Sequence, residues 1–274
     1  MSQVAAIQMA SGPNVNANLL EAGRLIGDAV NAGASLVVLP ENFAFLGHTD
    51  ADTLAIAETD GEGPIQKFLA QQAEQHGIWL VGGTIPMQGG DDKHLRSACL
   101  VFNDKGERVA RYDKIHLFDV HIDISNESYN ESETTEAGDE VVVIDTPFGR
   151  MGIAICYDLR FPELFRHMLD AGMQLIVMPS AFTAITGKAH WEVLTRARAI
   201  ENLCYVIAAD QGGFHISGRE THGDTMIVDP WGQVLNRLQT GSGFITAELD
   251  HQQVDKVRKN FPVTEHRRMP CKLP

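Results

Sequence analysis

Apolar residues fall in short blocks along this chain, and the blocks alternate between two periods. Val4-Ala5-Ala6-Ile7-Gln8-Met9 is a nearly unbroken apolar run and reads as a buried strand. Leu19, Leu20, Leu25, Ile26 and Val30 then recur at three-to-four spacing. That spacing predicts a helix, with Asn16 or Asn18 as its cap and Gly33 as its stop. Leu36-Val37-Val38-Leu39 is a second buried strand, expected to end at Pro40, which has no N–H to give a ladder. An amphipathic helix over 65–76, closed by Gly77, and a strand over 78–85 follow.

The middle reads differently. Strands over 97–102 and 107–112 flank Asn103-Asp104-Lys105-Gly106, a hairpin signal. Residues 121–140 are polar, acidic and without period, and read as a long functional loop. Alternation then resumes, with strands over 141–145 and 152–156, a helix over 162–171 and a strand over 175–178 ended by Pro179. A helix over 191–203 and a strand over 205–209 come next. Three short strands near 225–228, 234–238 and 244–249 and a helix over 252–259 complete the pattern. No linker or repeat interrupts it, so we read one α/β domain over 1–274, with a tail from about 262.

Composition narrows the function. Thirty-six acidic against 22 basic residues give a net charge of −14, which opposes binding to nucleic acid. No run of about 18 apolar residues is present, so a membrane span is not expected. Met1-Ser2-Gln3-Val4 lacks the basic start of a secretory leader. Cys99, Cys156, Cys204 and Cys271 are far apart and form no C-x-x-C, which predicts free thiols in a reducing cytoplasm and no cysteine metal cluster.

Two residues stand beyond the carboxyl ends of apolar strands, where open α/β sheets bind ligands: Glu41 and Cys156. Their equivalent placement in the two halves offers a base beside a nucleophile. Lys114, just after a strand, can stabilise a thiolate or an oxyanion. His116 is the alternative base at this point. His116 and His121 lie five apart in a loop segment, and no metal-binding histidine motif is present.

Three segments together carry a resemblance: Leu39-Pro40-Glu41, Tyr112-Asp113-Lys114-Ile115-His116-Leu117 and Ile155-Cys156-Tyr157-Asp158-Leu159-Arg160-Phe161-Pro162-Glu163. In order and spacing they resemble the signatures of the nitrilase superfamily of carbon–nitrogen hydrolases, over about 4–268. The resemblance implies a four-layer α-β-β-α sandwich that dimerises through helices near the site, without a metal or organic cofactor. It implies Glu41 as general base, Lys114 as oxyanion stabiliser and Cys156 as nucleophile. It also implies a second active-site glutamate, matched by Glu131-Ser132, with Glu127-Ser128 as the competing dipeptide.

Pro179-Ser180-Ala181-Phe182, Thr186-Gly187-Lys188-Ala189-His190-Trp191-Glu192 and Asp229-Pro230-Trp231-Gly232 are similar to the branch of deaminated-glutathione amidases and ω-amidases. The expectation is a homodimeric amidase that hydrolyses a small carboxylate-bearing amide through a thioester. Deaminated glutathione is the first substrate choice, ahead of α-keto-ω-amides, N-carbamoyl amino acids and nitriles. A silent binding protein of the same fold would have no need of Glu41, Lys114 and Cys156 together. Substrate contacts are expected from Tyr157, Arg160, Ser180, Phe182, Thr183 and Arg196, with Arg160, Lys188 or Arg196 meeting the carboxylate.

Overall fold

A computed structural model describes residues 1–124 and 126–269. The first half of the chain runs β1 (Ser2–Gln8), α1 (Val15–Asn31), β2 (Leu36–Val38), α2 (Asp50–Leu54), α3 (Pro64–His76), β3 (Trp79–Val81), β4 (Ile85–Gln88), β5 (Leu95–Phe102) and β6 (Arg108–Asp113). A hairpin follows, β7 (Asp119–Ile122) and β8 (Glu127–Asn130). The second half runs β9 (Val143–Thr146), β10 (Gly149–Ile153), α4 (Pro162–Asp170), β11 (Leu175–Ser180), α5 (Ala184–Asn202) and β12 (Tyr205–Asp210). It closes with the β13 (Gly212–Phe214) and β14 (Glu220–His222) hairpin, β15 (Thr225–Val228), β16 (Val234–Leu238), β17 (Gly243–Leu249) and α6 (His251–Asn260).

Two mixed sheets form the centre. The first has the order β17-β1-β2-β3-β5-β4, with β6 also paired to β5, and the second is β16-β15-β12-β11-β10-β9. Alternation along β1 and β2 assigns the faces. Ala5, Ile7, Val37 and Leu39 pack under α1 and α3, against Leu25, Ile26, Ile65 and Leu69. Val4, Ala6, Leu36 and Val38 face the other way, into a core cluster that takes in the buried strands of the second sheet. Helices α4 and α5 cover that sheet's far side through Leu164, Phe165, Met168 and Trp191. The result is the α-β-β-α sandwich that the resemblance implied, with two buried sheets packed face to face.

Several boundaries differ from the sequence reading. Asn14 caps α1 by accepting from the Ala17 N–H, while Asn18 lies buried and binds Gly12 and Ala44. Pro179 lies inside β11, whose pairing with β10 stops at Val177. Its missing N–H therefore points where no neighbour waits, and the ladder to β12 continues to Ser180. Helix α5 starts at Ala184, capped by the Thr183 hydroxyl. The predicted loop over 121–140 contains most of the β7–β8 hairpin and a 3-10 turn, Glu131–Glu133. No helix among the described residues is long and apolar enough to cross a membrane.

Candidate active site

Three chain segments converge at the carboxyl ends of the strands. Glu41 follows β2 and is held by backbone on both sides: its carbonyl accepts from Gln211 Nε2 at 3.0 Å, and the Asn42 N–H donates to Thr84 Oγ1 at 2.9 Å. Gly83 passes so close that a Cβ there would lie 2.1 Å from the Pro40 carbonyl oxygen, at a φ of +58°. Only glycine suits that position. Lys114 leaves β6 with its N–H on the Ser97 carbonyl and its own carbonyl on the Gly138 N–H. Cys156 opens a 3-10 turn, Cys156–Arg160, immediately after the β10 strand and Ala154-Ile155. Its φ of +47° is left-handed, a strained conformation for a non-glycine residue.

These segments bring four side chains together. Lys114 Nζ donates to Glu41 Oε1 at 2.9 Å and to both oxygens of Glu131 at 3.0 and 2.9 Å. Glu131 Oε2 also accepts the Phe118 N–H at 2.7 Å. Cys156 lies near enough that the Glu41 and Lys114 charges both act on its thiol. Glu41, Lys114 and Cys156 are all buried. Of the two competing glutamates, Glu131 reaches Lys114 and Glu127 does not line the cavity.

Burial sets the electrostatics. It would lower the Lys114 pKa, but the charges of Glu131 and Glu41 outweigh it and hold the ammonium well above its usual range. Burial raises Glu131, opposed by Lys114 and reinforced by Glu41. The Cys156 thiol is pushed well up by burial and then by the Glu41 charge, against Lys114 and the Ala181 N–H. The surroundings of Cys156 thus favour the neutral thiol over the thiolate.

A cavity of about 460 Å³ opens over this cluster. It reaches Glu41, Lys114, Glu131 and Cys156, and is also lined by Tyr157, Arg160, Phe182 and Thr183. Arg160 lies over two aromatic faces, 5.7 Å from the Tyr157 centroid and 5.2 Å from that of Phe182. Ser180 and Arg196 are elsewhere. Ser180 is fully buried within β11, and Arg196 lies on the outer side of α5, bonded to the Gly232 carbonyl and Glu192. Lys188 is exposed and does not line the cavity. His116 is not placed to act as base: it stacks on Phe161 at 3.7 Å and donates to Asp158 Oδ1 at 2.6 Å, outside the cavity. Tyr129 and Arg219 line the cavity and were not foreseen. Arg219 stands alone in His215-Ile216-Ser217-Gly218-Arg219, which carries only a turn signal.

The three signatures lie together around one cavity, with Glu131 beside them, and whole-chain comparison supports the family they resemble. The model of the carbon-nitrogen hydrolase family matches residues 3–259. The chain belongs to that family. It is 40% identical over 273 residues to a deaminated glutathione amidase of Yersinia enterocolitica, covering 99% of this chain and 95% of that protein. It is 44% identical over 267 residues to one from Synechocystis, covering 96% and 97%. Among solved structures, Nit3 of Saccharomyces cerevisiae, a member of branch 10 of the nitrilase superfamily, superposes with a TM-score of 0.88. That match is 32% identical and covers 98% of this chain and 97% of the yeast one. The chain is thus a carbon–nitrogen hydrolase of the amide-cleaving type.

Proposed function

We propose that this hydrolase cleaves a small carboxylate-bearing amide through a thioester, with deaminated glutathione as its substrate. The observation that carries the reading is Lys114, bonded to both Glu41 and Glu131 beside Cys156, in a cavity that also presents Arg160. Glu41 takes the thiol proton as sulfur attacks the amide carbon. Lys114 and the Tyr157 N–H receive the oxyanion, a contribution of about 3–4 kcal/mol per donor. Glu41 returns the proton to the departing amine, leaving an acyl group on sulfur. Water, deprotonated by Glu41, then attacks the thioester, and the carboxylic acid leaves as the thiol is restored. Glu131 keeps Lys114 fixed through both halves. Arg160 binds the acyl-side carboxylate of the substrate. The names of the Yersinia and Synechocystis relatives support the substrate choice.

The same reading places the protein in a reducing cytoplasm, with Cys99, Cys156 and Cys204 free, and pairs it as a homodimer through α5. The deciding experiment compares kcat/KM for deaminated glutathione, α-ketoglutaramate and a neutral aliphatic nitrile, in the parent and in Arg160→Met. Deaminated glutathione is expected to lead, with Arg160→Met weakening both anionic substrates selectively. A nitrile hydrolysed best, or an Arg160→Met variant without selectivity, defeats the carboxylate reading. An acyl-thioester adduct on Cys156, seen by mass spectrometry, tests the intermediate.

A further inference from the structure

The cavity holds a second arginine that the reaction above does not use. Arg219, in the turn between β13 and β14, donates from Nη2 to the Ala181 carbonyl and lies 5.3 Å from the Tyr129 ring centroid. Its Nε is buried without a hydrogen-bond partner. Among the described residues Arg219 and Arg160 form no salt bridge, whereas Arg96, Arg111, Arg198 and Arg237 are each paired with a carboxylate. Asp210, whose Oδ1 accepts the Phe182 N–H of the peptide that Arg219 holds by its carbonyl, forms no salt bridge with it. Burial raises the pKa of the Asp210 carboxyl. A guanidinium with a spare buried donor and no counter-charge is a ready receptor for an anion.

The two arginines approach from different elements. Arg160 belongs to the turn that carries the nucleophile, and Arg219 to a surface hairpin whose Phe214 and Ile216 are exposed. A cavity of about 460 Å³ also exceeds what a five-carbon keto-acid amide fills, and leaves room for a leaving group larger than ammonia. We infer that Arg219 binds the anionic group carried by the departing amine and so sets the preference for a charged leaving group. This rests on the substrate proposed above, whose leaving group is a dipeptide, and assigns a residue to that side of the scissile bond. Arg219 is then a specificity residue for amides of carboxylate-bearing amines such as a dipeptide.

The test uses two amides of α-ketoglutarate: one with cysteinylglycine as the leaving group, the other identical except that the terminal carboxylate is a primary amide. The parent protein should prefer the carboxylate form by at least about 10-fold in kcat/KM, the scale of one charge-assisted bond. Arg219→Gln, which keeps a donor for the Ala181 carbonyl, should bring that ratio close to one, and Arg219→Lys should restore part of it. In the parent the preference should also shrink as salt rises from about 0.05 to 0.5 M, a readout that needs no variant. A parent ratio near one, or a ratio that survives in Arg219→Gln while both rates fall, overturns the inference and leaves Arg219 as a support for Ala181. If the parent hydrolyses neither amide, the underlying substrate reading is what has failed.

Discussion

The Tyr112 hydroxyl donates to Asp158 Oδ2 at 2.7 Å, with both side chains fully buried, and this bond joins the strand that delivers Lys114 to the turn that delivers Cys156. Asp158 completes the junction by accepting from the N–H groups of Ile155 at 2.8 Å and His116 at 3.1 Å, and from the His116 ring. The spacing of Cys156 and Lys114 is thus held by one buried carboxylate. Tyr112→Phe should destabilise the fold by about 1–2 kcal/mol, and Asp158→Ala by more, because two backbone donors then lose their partner. Urea unfolding measures the first effect, and kcat/KM should fall alongside it. A Tyr112→Phe protein of unchanged stability and rate would show that the junction is held elsewhere.

Cys156→Ala is expected to abolish hydrolysis while preserving the fold. The lost thiol lines a cavity, so little packing is sacrificed. A thiol reagent should label Cys156 before Cys99 or Cys204. Accessibility decides this, since Cys156 opens to the cavity and the other two are fully buried. Thiolate character does not separate them. Burial pushes Cys204 up to about 12 and raises Cys99 and Cys156 as well. Faster labelling of either buried cysteine would contradict this assignment.

Glu41 and Cys156 were legible because both strands that aim them are short, apolar and abruptly ended, so the next polar residue had to stand at the crest. Lys114 follows a polar strand, β6, and was legible only through the Tyr112–Leu117 segment that carries the family resemblance. Ser180 was misread by one residue of phase. Met178 and Ser180 share a face of β11 that points into protein, and the cavity begins at Ala181. Arg196 was misread because a helix rotates each residue by about 100°. Trp191, Thr195, Arg198 and Asn202 fill the inner side of α5 and leave Arg196 outside. The β7–β8 hairpin left no trace because none of its strand residues is buried, and no apolar alternation is required. Gly187 argued against helix at the start of α5, yet it is required there, since a Cβ would lie 2.2 Å from His222 Cγ.

Glu41→Gln should lower kcat/KM by at least about 100-fold with the fold intact, the lower scale for loss of a general base. Lys114→Met should be worse in one respect, because it removes the cation from between two buried carboxylates. Both activity and melting temperature should fall. Glu131→Gln keeps one acceptor for Lys114 and should give a smaller loss than Glu41→Gln. A reversed order, with Glu131→Gln the more damaging and Glu41→Gln nearly normal, would move the base to Glu131.

Acid should loosen the hairpin that carries Arg219. His215 lies between the Ser11 carbonyl at 2.8 Å and Thr221 Oγ1 at 2.7 Å, and burial lowers its pKa from the ordinary 6.5. The unfolded chain therefore binds this proton more readily than the folded one. Stability from this site is complete above the ordinary histidine value and is lost as pH falls below it, until the folded-state pKa is passed. Amide exchange in 212–222 should accelerate over that interval in the parent. His215→Gln, which cannot charge, should flatten the response. Equal acid sensitivity in the variant would assign the effect to other groups, such as His222, which burial also lowers.

The apolar outer side of α5 is expected to pair two copies of the chain. Val193 and Ile200 lie seven residues apart on one face of the helix, 67% and 46% exposed. Trp231, 62% exposed, precedes Gly232, whose Cα lies close enough to Ile200 that an added Cβ would come within 2.4 Å of it. Phe261 packs edge-on against Trp231 at 5.5 Å and is itself half-exposed. Arg196, between Val193 and Ile200, ties α5 to this patch through the Gly232 carbonyl. These four side chains form a continuous apolar surface of the kind that closed two-fold association buries. Light scattering at micromolar protein should give twice the monomer mass. Val193→Glu combined with Ile200→Glu should halve it, because each copy would then carry two carboxylates into an otherwise apolar surface. A parent protein already at monomer mass would refute the pairing, and an unaffected double variant would move the interface to another face.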